Sequence, residues 1–315
     1  MKILVVGEKK KNVFAYVKAL REKGAEAKYL RILKFVLVSK HNKSFIKTTI
    51  GLIDKYDAIF IQSRTSLGPF IEPMLEQIEE KKIYSNCKIG SYYNSLNEPL
   101  QNVTLTTNGI SCPNSIITGN EKNIEKIIER LNFPILAKSI KGKEIQQSMI
   151  VNTPSELNVF IKSMKHEMDG YLFKEFIKGR IISCLVIGNK VFAIEQTKEN
   201  NDSQKINLMK GKTYRVRDDE KEIVISAANA IGYDIAQVDI INKKVISVSP
   251  IIPLQEFNKI CSENIEKYVA DFLIEKVKLQ GEKKSYKDDL KKIRKAFSKT
   301  LFGRLFSKKK KTVIE

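Results

Sequence analysis

The chain has 315 residues, with 56 Lys and Arg against 36 Asp and Glu, a formal net charge of +20. Hydrophobic residues make up 42% of it, which excludes a wholly disordered chain and leaves room for two or three domains at about 100–200 residues each. No apolar run approaches the ~18–20 residues that cross a bilayer, and Ile3-Leu4-Val5-Val6 is shorter than the ~7–15-residue core of a signal peptide, so the expectation is a cytoplasmic protein.

Lys2 to Gly7 is a short apolar run that reads as a strand, and Asn12 to Lys23 places Phe14, Val17 and Leu20 at helical spacing ahead of Gly24. Strand, turn and helix in that order predict a parallel α/β opening. Ala58-Ile59-Phe60-Ile61 is a second strand, ending at Gln62-Ser63-Arg64. A helix follows from near Pro69 through Ile71, Leu75 and Ile78, where proline in the first turn loses no hydrogen bond. Lys88 to Tyr93 reads as a further buried strand, and this first domain is taken as residues 1–115.

From Asn123 the spacing of Ile124, Ile127, Ile128 and Leu131 predicts a helix, stopped by Asn132-Phe133-Pro134. Pro134 to Lys138 reads as a strand with Met149-Ile150-Val151 as its antiparallel neighbour. Thr153-Pro154-Ser155-Glu156 is a helix start whose apolar face is Leu157, Phe160, Ile161 and Met164. These form a small α+β layer over about 118–170. Tyr171–Ile177, Ile181–Ile187, Lys190–Gln196, Gln237–Ile241 and Val245–Val248 read as strands of a second antiparallel sheet over about 171–255, with turns at Asn189-Lys190 after Gly188 and at Asn242-Lys243-Lys244 and a helix from Glu222 to Ile231.

The last 35 residues differ in composition. From Gly281 onward there are 13 Lys and Arg against 4 Asp and Glu, a net +9 that is nearly half of the total. Leu290, Ile293, Phe297, Leu301 and Leu305 recur every three or four positions among the lysines, and Phe302 and Phe306 lie beside the last two, which describes a basic amphipathic helix over 281–315. Cys87, Cys112, Cys184 and Cys261 are widely separated and contain no Cys-x-x-Cys pair, so buried reduced thiols are expected in place of a metal or disulfide framework.

Five phrases in order carry a family resemblance: Phe133-Pro-Ile-Leu-Ala-Lys138, Phe173-Lys-Glu-Phe-Ile177, Cys184-Leu-Val-Ile-Gly-Asn-Lys-Val191, Asn207-Leu-Met-Lys-Gly211 and Ala236-Gln-Val-Asp-Ile240. From about Tyr92 to Lys276 the chain resembles the RimK-type ATP-grasp ligases, with a looser match over the first domain. The resemblance implies an N-terminal α/β, pre-ATP-grasp-like domain at 1–115, a two-subdomain α+β ATP-grasp fold at 116–280, and the basic segment beyond. It also implies ATP and magnesium as cofactors, and an acylphosphate formed from a carboxylate and attacked by an amine.

Carried over residue by residue, the resemblance makes Lys138 a phosphate-binding lysine and sets Glu175, Phe176 and Ile177 at the hinge that flanks adenine and ribose. It makes Lys205 and Asn207 phosphate-side residues and Asp239 the first metal-binding carboxylate. Magnesium prefers oxygen ligands and takes one or two protein carboxylates besides ATP oxygens. Here the chain departs from the pattern. Ser247-Val248-Ser249 stands where the family has Glu-x-Asn, and hydroxyls bring no charge to the metal. The loop after Lys138 should be glycine-rich so that backbone N–H groups can close over phosphates, yet Ser139 to Gln147 contains only Gly142. Ile181 and Ser183 replace an acidic and a basic residue after the hinge, and Asn97-Glu98 replaces an Asp-Lys pair upstream.

The expectation is therefore a RimK-like protein related to ATP-dependent carboxylate-amine (glutamate) ligases whose nucleotide and metal cleft is partly degenerate. As a ligase it would act on a glutamate-like amine or a protein substrate. The alternative is a pseudoenzyme, a catalytically inactive scaffold that engages RNA, a ribosomal surface or an anionic membrane through residues 281–315 and so lies peripherally at that membrane.

Overall fold

Alternation of buried side chains along an apolar strand sends successive residues to opposite faces, and the first strand, β1 (Lys2–Gly7), does this with Ile3 and Val5 on one side and Leu4 and Val6 on the other. The computed structural model describes residues 1–315 apart from 42, 64–66, 121–122, 125–129, 131, 142–143, 165–169, 197–210 and 300–315, and describes the backbone alone at 12, 144, 146, 164 and 283–299.

Around β1 runs a four-stranded parallel sheet. α1 (Lys10–Glu22) leads to β2 (Glu26–Arg31), which pairs with one edge of β1. After a small antiparallel ribbon of β3 (Phe35–Lys40), β4 (Lys43–Thr48) and β5 (Gly51–Leu52), the chain returns as β6 (Ala58–Gln62) on the other edge of β1. α2 (Gly68–Glu80) and β7 (Tyr84–Ser85) complete the sheet in the order β2-β1-β6-β7. This ribbon has no counterpart among the strands expected from the sequence, because lysines interrupt the apolar residues of one face and serine and threonine those of the other.

Lys88 to Tyr93 is not a strand. α3 (Ile89–Leu96) begins there, followed directly by α4 (Glu98–Thr107), whose cap is the Asn97 side chain accepting from the Leu100 N–H at 3.0 Å. The spacing of Ile89, Tyr92 and Leu96 is helical, and it lays Tyr92 into the core.

The second sheet has the order β10-β9-β11-β8, from β8 (Ser115–Thr118), β9 (Ile135–Lys141), β10 (Glu144–Val151) and β11 (Gly170–Glu175), with α5 (Pro154–Met164) packed on it. Met149, Ile150 and Val151 do pair antiparallel with Ala137, Leu136 and Ile135. The sequence pattern alone puts the run Tyr171–Ile177 in the later sheet. Instead β11 pairs with β9 and β8, because Tyr171 and Phe173 complete the apolar face that Phe160 and Leu157 cover. Most of the helix expected over 123–131 lies outside the described residues, although Ile124 is buried in this same small core.

The third sheet has the order β14-β13-β12-β15-β16, from β12 (Ile182–Ile187), β13 (Lys190–Glu195), β14 (Lys212–Thr213), β15 (Ile235–Ile241) and β16 (Lys244–Ser249), all antiparallel. α6 (Asp218–Ile231) covers one face, and α7 (Leu254–Cys261) and α8 (Ile265–Lys299) cover the other. α8 runs unbroken across residue 281, where the composition becomes strongly basic; its side chains beyond 282 and the residues Leu301, Phe302, Leu305 and Phe306 lie outside the description.

Two cores join the first and third sheets. Leu4, Val6, Ile59 and Ile61 share one with Cys184, Val186, Ala236 and Val238, while Ile3, Val5, Ala58 and Phe60 share the other with Leu185, Ile187, Ile194 and Ile235. Buried Gln101 seals the junction: its amide donates to the Val248 carbonyl at 3.0 Å, and its carbonyl accepts from the Val248 N–H at 2.9 Å. The second sheet keeps a separate core. Cys87 and Cys184 are buried thiols, whereas Cys112 and Cys261 are only half-buried; all four are free.

At the β12–β13 turn Gly188 has φ +57°, and a Cβ there would lie 2.6 Å from the Phe272 ring of α8. Gly188→Ala is expected to lower stability by about 2 kcal/mol, combining left-handed strain with overpacking, as read from urea denaturation.

Candidate functional site

Glu98 opens α4, where a carboxylate is favoured by the helix dipole. β9 and β11 are adjacent strands, and their register sets Leu172 opposite Lys138 and Lys174 opposite Leu136, so the two lysines are diagonal neighbours on one face. Both reach Glu98. Lys138 Nζ donates to Glu98 Oε2 at 2.7 Å and to Oε1 at 2.9 Å, and Lys174 Nζ donates to Oε1 at 2.7 Å. Lys174 is 4% exposed, so a solitary ammonium there would be costly. Burial alone would raise the Glu98 carboxyl, but the Lys174 and Lys138 charges and their hydrogen bonds outweigh it and hold it below the ordinary value.

A cavity of about 820 Å³ opens beside this triad, with α3 and the start of α4 on one wall, Ile140 and Ile145 on another, and Ile246 to Ile251 on a third. Among the described residues the charged side chains lining it are Glu72 and Glu98, both carboxylates.

Asp239 sits inward on β15, 4% exposed. Its Oδ1 accepts from Ser183 Oγ at 2.5 Å and from Gln237 Nε2 at 2.8 Å, and Ser183 in turn accepts from Gln196 Nε2. The residue opposite it on β16 is Ser247. Burial pushes the Asp239 carboxyl upward, with the Ser183 and Gln237 hydrogen bonds opposing. Among the described residues no group of three or more His, Cys, Asp or Glu side chains is placed to hold a metal ion.

At the end of β11, Glu175 is clasped by Lys244 of β16, with Nζ to Oε1 at 2.8 Å and to Oε2 at 2.7 Å. That hydrogen bond, against some burial, keeps the Glu175 carboxyl below its usual value. The Phe176 N–H donates to the Pro134 carbonyl at 3.3 Å, and Ile177 follows in irregular backbone. Lys138, Glu175, Phe176 and Ile177 therefore sit along β9 and the end of β11, while Asp239 lies within the third sheet. Lys205 and Asn207 lie outside the described residues, as does Gly142; β9 and β10 extend to Lys141 and Glu144.

Lys174 was not singled out from the sequence. Its signal is a lysine directly after the apolar run Tyr171-Leu-Phe173, which is unusual in a buried strand without a counter-ion.

Residues 100–273 match the RimK-like ATP-grasp domain. A probable alpha-L-glutamate ligase of Desulfotalea psychrophila is 26% identical over 236 residues, 72% of this chain and 51% of that protein, and one of Haemophilus influenzae is 26% identical over 232 residues, 70% of this chain and 77% of that protein. The chain thus spans about half the length of the first relative. A Chryseobacterium gregarium RiPP-associated ATP-grasp ligase, solved in complex with ADP and a leader and core peptide, superposes with a TM-score of 0.68 at 14% identity, covering 87% of this chain and 97% of that one.

Two substitutions test this geometry. Glu98→Gln leaves two ammoniums without their counter-ion and is expected to lower stability by about 3 kcal/mol at pH 7. Because the folded-state value is depressed, the contribution of Glu98 is present above the ordinary value of 4.5 and is lost as pH falls through the folded value, so the variant should show a flatter acid limb in pH-dependent denaturation. Asp239→Asn has the opposite sign. A raised carboxyl stabilises the fold below its unfolded value and loses that contribution as pH rises through the folded one, so this variant should melt higher than wild type at pH 8, with the gap closing near pH 4.

Proposed function

The chain belongs to the RimK-like ATP-grasp family, and from that premise we propose that it keeps the ligase scaffold while its nucleotide and metal cleft has become partly degenerate, so that it serves as a binding scaffold for an anionic partner. The observation that carries this reading is the Glu98 triad. In the resemblance, Glu98 takes the place of a lysine, and it engages both Lys138 and Lys174 by hydrogen bonds that a triphosphate would have to replace. Displacing Glu98 would leave a carboxylate facing the phosphates it had made room for.

The metal position argues the same way. The described residues do not fit a magnesium ion: Asp239 is committed to a hydroxyl and an amide, and Ser247 and Ser249 offer no second charge. The anionic-partner half of the proposal rests on the net +9 of residues 281–315. RNA, a ribosomal surface and an anionic membrane share the phosphate chemistry such a segment recognises. No helix among the described residues is long and apolar enough to cross a membrane.

One observation favours the second reading, a working ligase acting on a glutamate-like amine or a peptide. Two ammoniums against one carboxylate leave the triad net positive beside the cavity. Thermal unfolding with Mg·ATP separates the two. The degenerate cleft predicts a shift below about 1 °C at millimolar Mg·ATP. A shift of several degrees that Asp239→Ala abolishes, together with ADP release on adding glutamate or a peptide, would establish the ligase instead. For the partner, a chain lacking residues 281–315 should lose vesicle or RNA binding that the full chain shows at low salt, and binding that survives the deletion removes this segment from the account.

A further inference from the structure

From Ala27 to Ile53 the chain contains six basic residues, Lys28, Arg31, Lys34, Lys40, Lys43 and Lys47, and no Asp or Glu. Most of this stretch is the β3–β4–β5 ribbon. The inner face is anchored: Ile46 is buried, Phe35 meets Phe70 edge-on at 6.0 Å between centroids, and Gln77 of α2 donates to Ser44 Oγ at 2.8 Å. The β3–β4 register puts Val36 beside Lys47, Val38 beside Phe45 and Lys40 beside Lys43 on the other face. That face is an apolar centre with lysines around it, open to solvent; Val36 is 61% and Phe45 40% exposed.

The strand edge is open as well. β3 ends the three-stranded sheet, and among the described residues no other strand pairs with it. Val36 and Leu37 point to opposite faces and are 61% and 39% exposed, so the strand is open on its outer face and, beyond the Phe35 anchor, partly open on its inner one. Unpaired strand N–H and C=O groups beside an apolar face form a template for another strand.

We propose that β3 is a docking edge for an extended acidic peptide, which adds as a fourth strand to this ribbon and, on the face that Val36, Val38 and Phe45 share with Lys40, Lys43 and Lys47, carries apolar side chains at its centre and carboxylates at its ends. Charge decides the occupant. A second copy of this chain pairing edge to edge would bring two all-basic ribbons together, and lysines on an edge strand oppose such self-pairing. Lipid headgroups and RNA match the charge but offer no strand to complete the open edge. The proposal is independent of whether the cleft is catalytic.

The test uses the full-length chain and a dye-labelled octapeptide, Glu-Thr-Val-Thr-Val-Thr-Glu-Thr, whose valines and glutamates share one face of a strand, followed by fluorescence anisotropy at two salt concentrations. Saturable binding is expected, weakened at least tenfold by Lys40→Glu, Lys43→Glu and Lys47→Glu together, with an unchanged melting temperature. The same peptide N-methylated at every residue keeps its charge but cannot form a ladder, and it should not bind. The proposal is overturned if the octapeptide shows no saturable binding, if N-methylation makes no difference, or if the triple variant binds as wild type does. It is likewise overturned if phosphatidylglycerol-containing vesicles or oligouridylate bind more tightly than the peptide in a way that depends on the same three lysines.

Discussion

One carboxylate holds the lobes of this protein in register. Glu98 projects from the first turn of α4, which belongs to the first and third sheets through Gln101, and its two lysine partners come from β9 and β11 of the second sheet. Since the second sheet has a core of its own, little apolar surface ties it to the rest. Its position is set by polar contacts: the Glu98 triad at one end and the Glu175–Lys244 clasp at the other. A buried ion cluster of this kind adds little net stability over an apolar contact, but it tolerates the loss of a member poorly and so defines one arrangement.

On the proposed reading the same carboxylate also bears on what the cleft can recognise. A site that receives polyphosphate keeps its ammoniums available and its wall free of competing anions. Here an internal anion already satisfies them, and Asp239 has been drawn into a network of neutral donors. These changes are mutually consistent. On the proposed reading, a carboxylate among the lysines, and serines where the resemblance has Glu-x-Asn, both work against the charge pattern that a metal-bound triphosphate needs.

Much of the fold was legible because it rests on local periodicity. Lys2–Gly7 is reproduced residue for residue, and the third sheet followed from short apolar runs separated by Gly188 and Asn242-Lys243, all three at positive φ. Lys88 to Tyr93 failed because a short apolar run does not distinguish strand from helix until its spacing reaches Leu96. β11 was placed in the wrong sheet because pairing is non-local: nothing within Tyr171 to Ile177 states that its neighbours are Ile135 to Ile140 and Ser115 to Thr118. The triad was hidden for the same reason. Glu98 stood out as a departure and Lys138 as a candidate, but their separation by 40 residues, and of Glu98 from Lys174 by 76, conceals that one answers the other.

The interleaving of the first and third sheets bears on how such a chain can be inherited. Both cores around β1 include residues beyond position 180, so a fragment ending near 115 would keep the α1 and α2 side chains packed there but lose Cys184, Val186, Ala236 and Val238 from one core and Leu185, Ile187, Ile194 and Ile235 from the other. The first 115 residues are a unit of topology but not of energy. Recombination that exchanged this segment for another α/β unit would have to match two half-built cores at once, whereas the second sheet, closed over its own apolar side chains, can drift or be replaced with far less disturbance. The lobe that carries Lys138 and Lys174 is thus the part of the chain whose apolar packing depends least on the others.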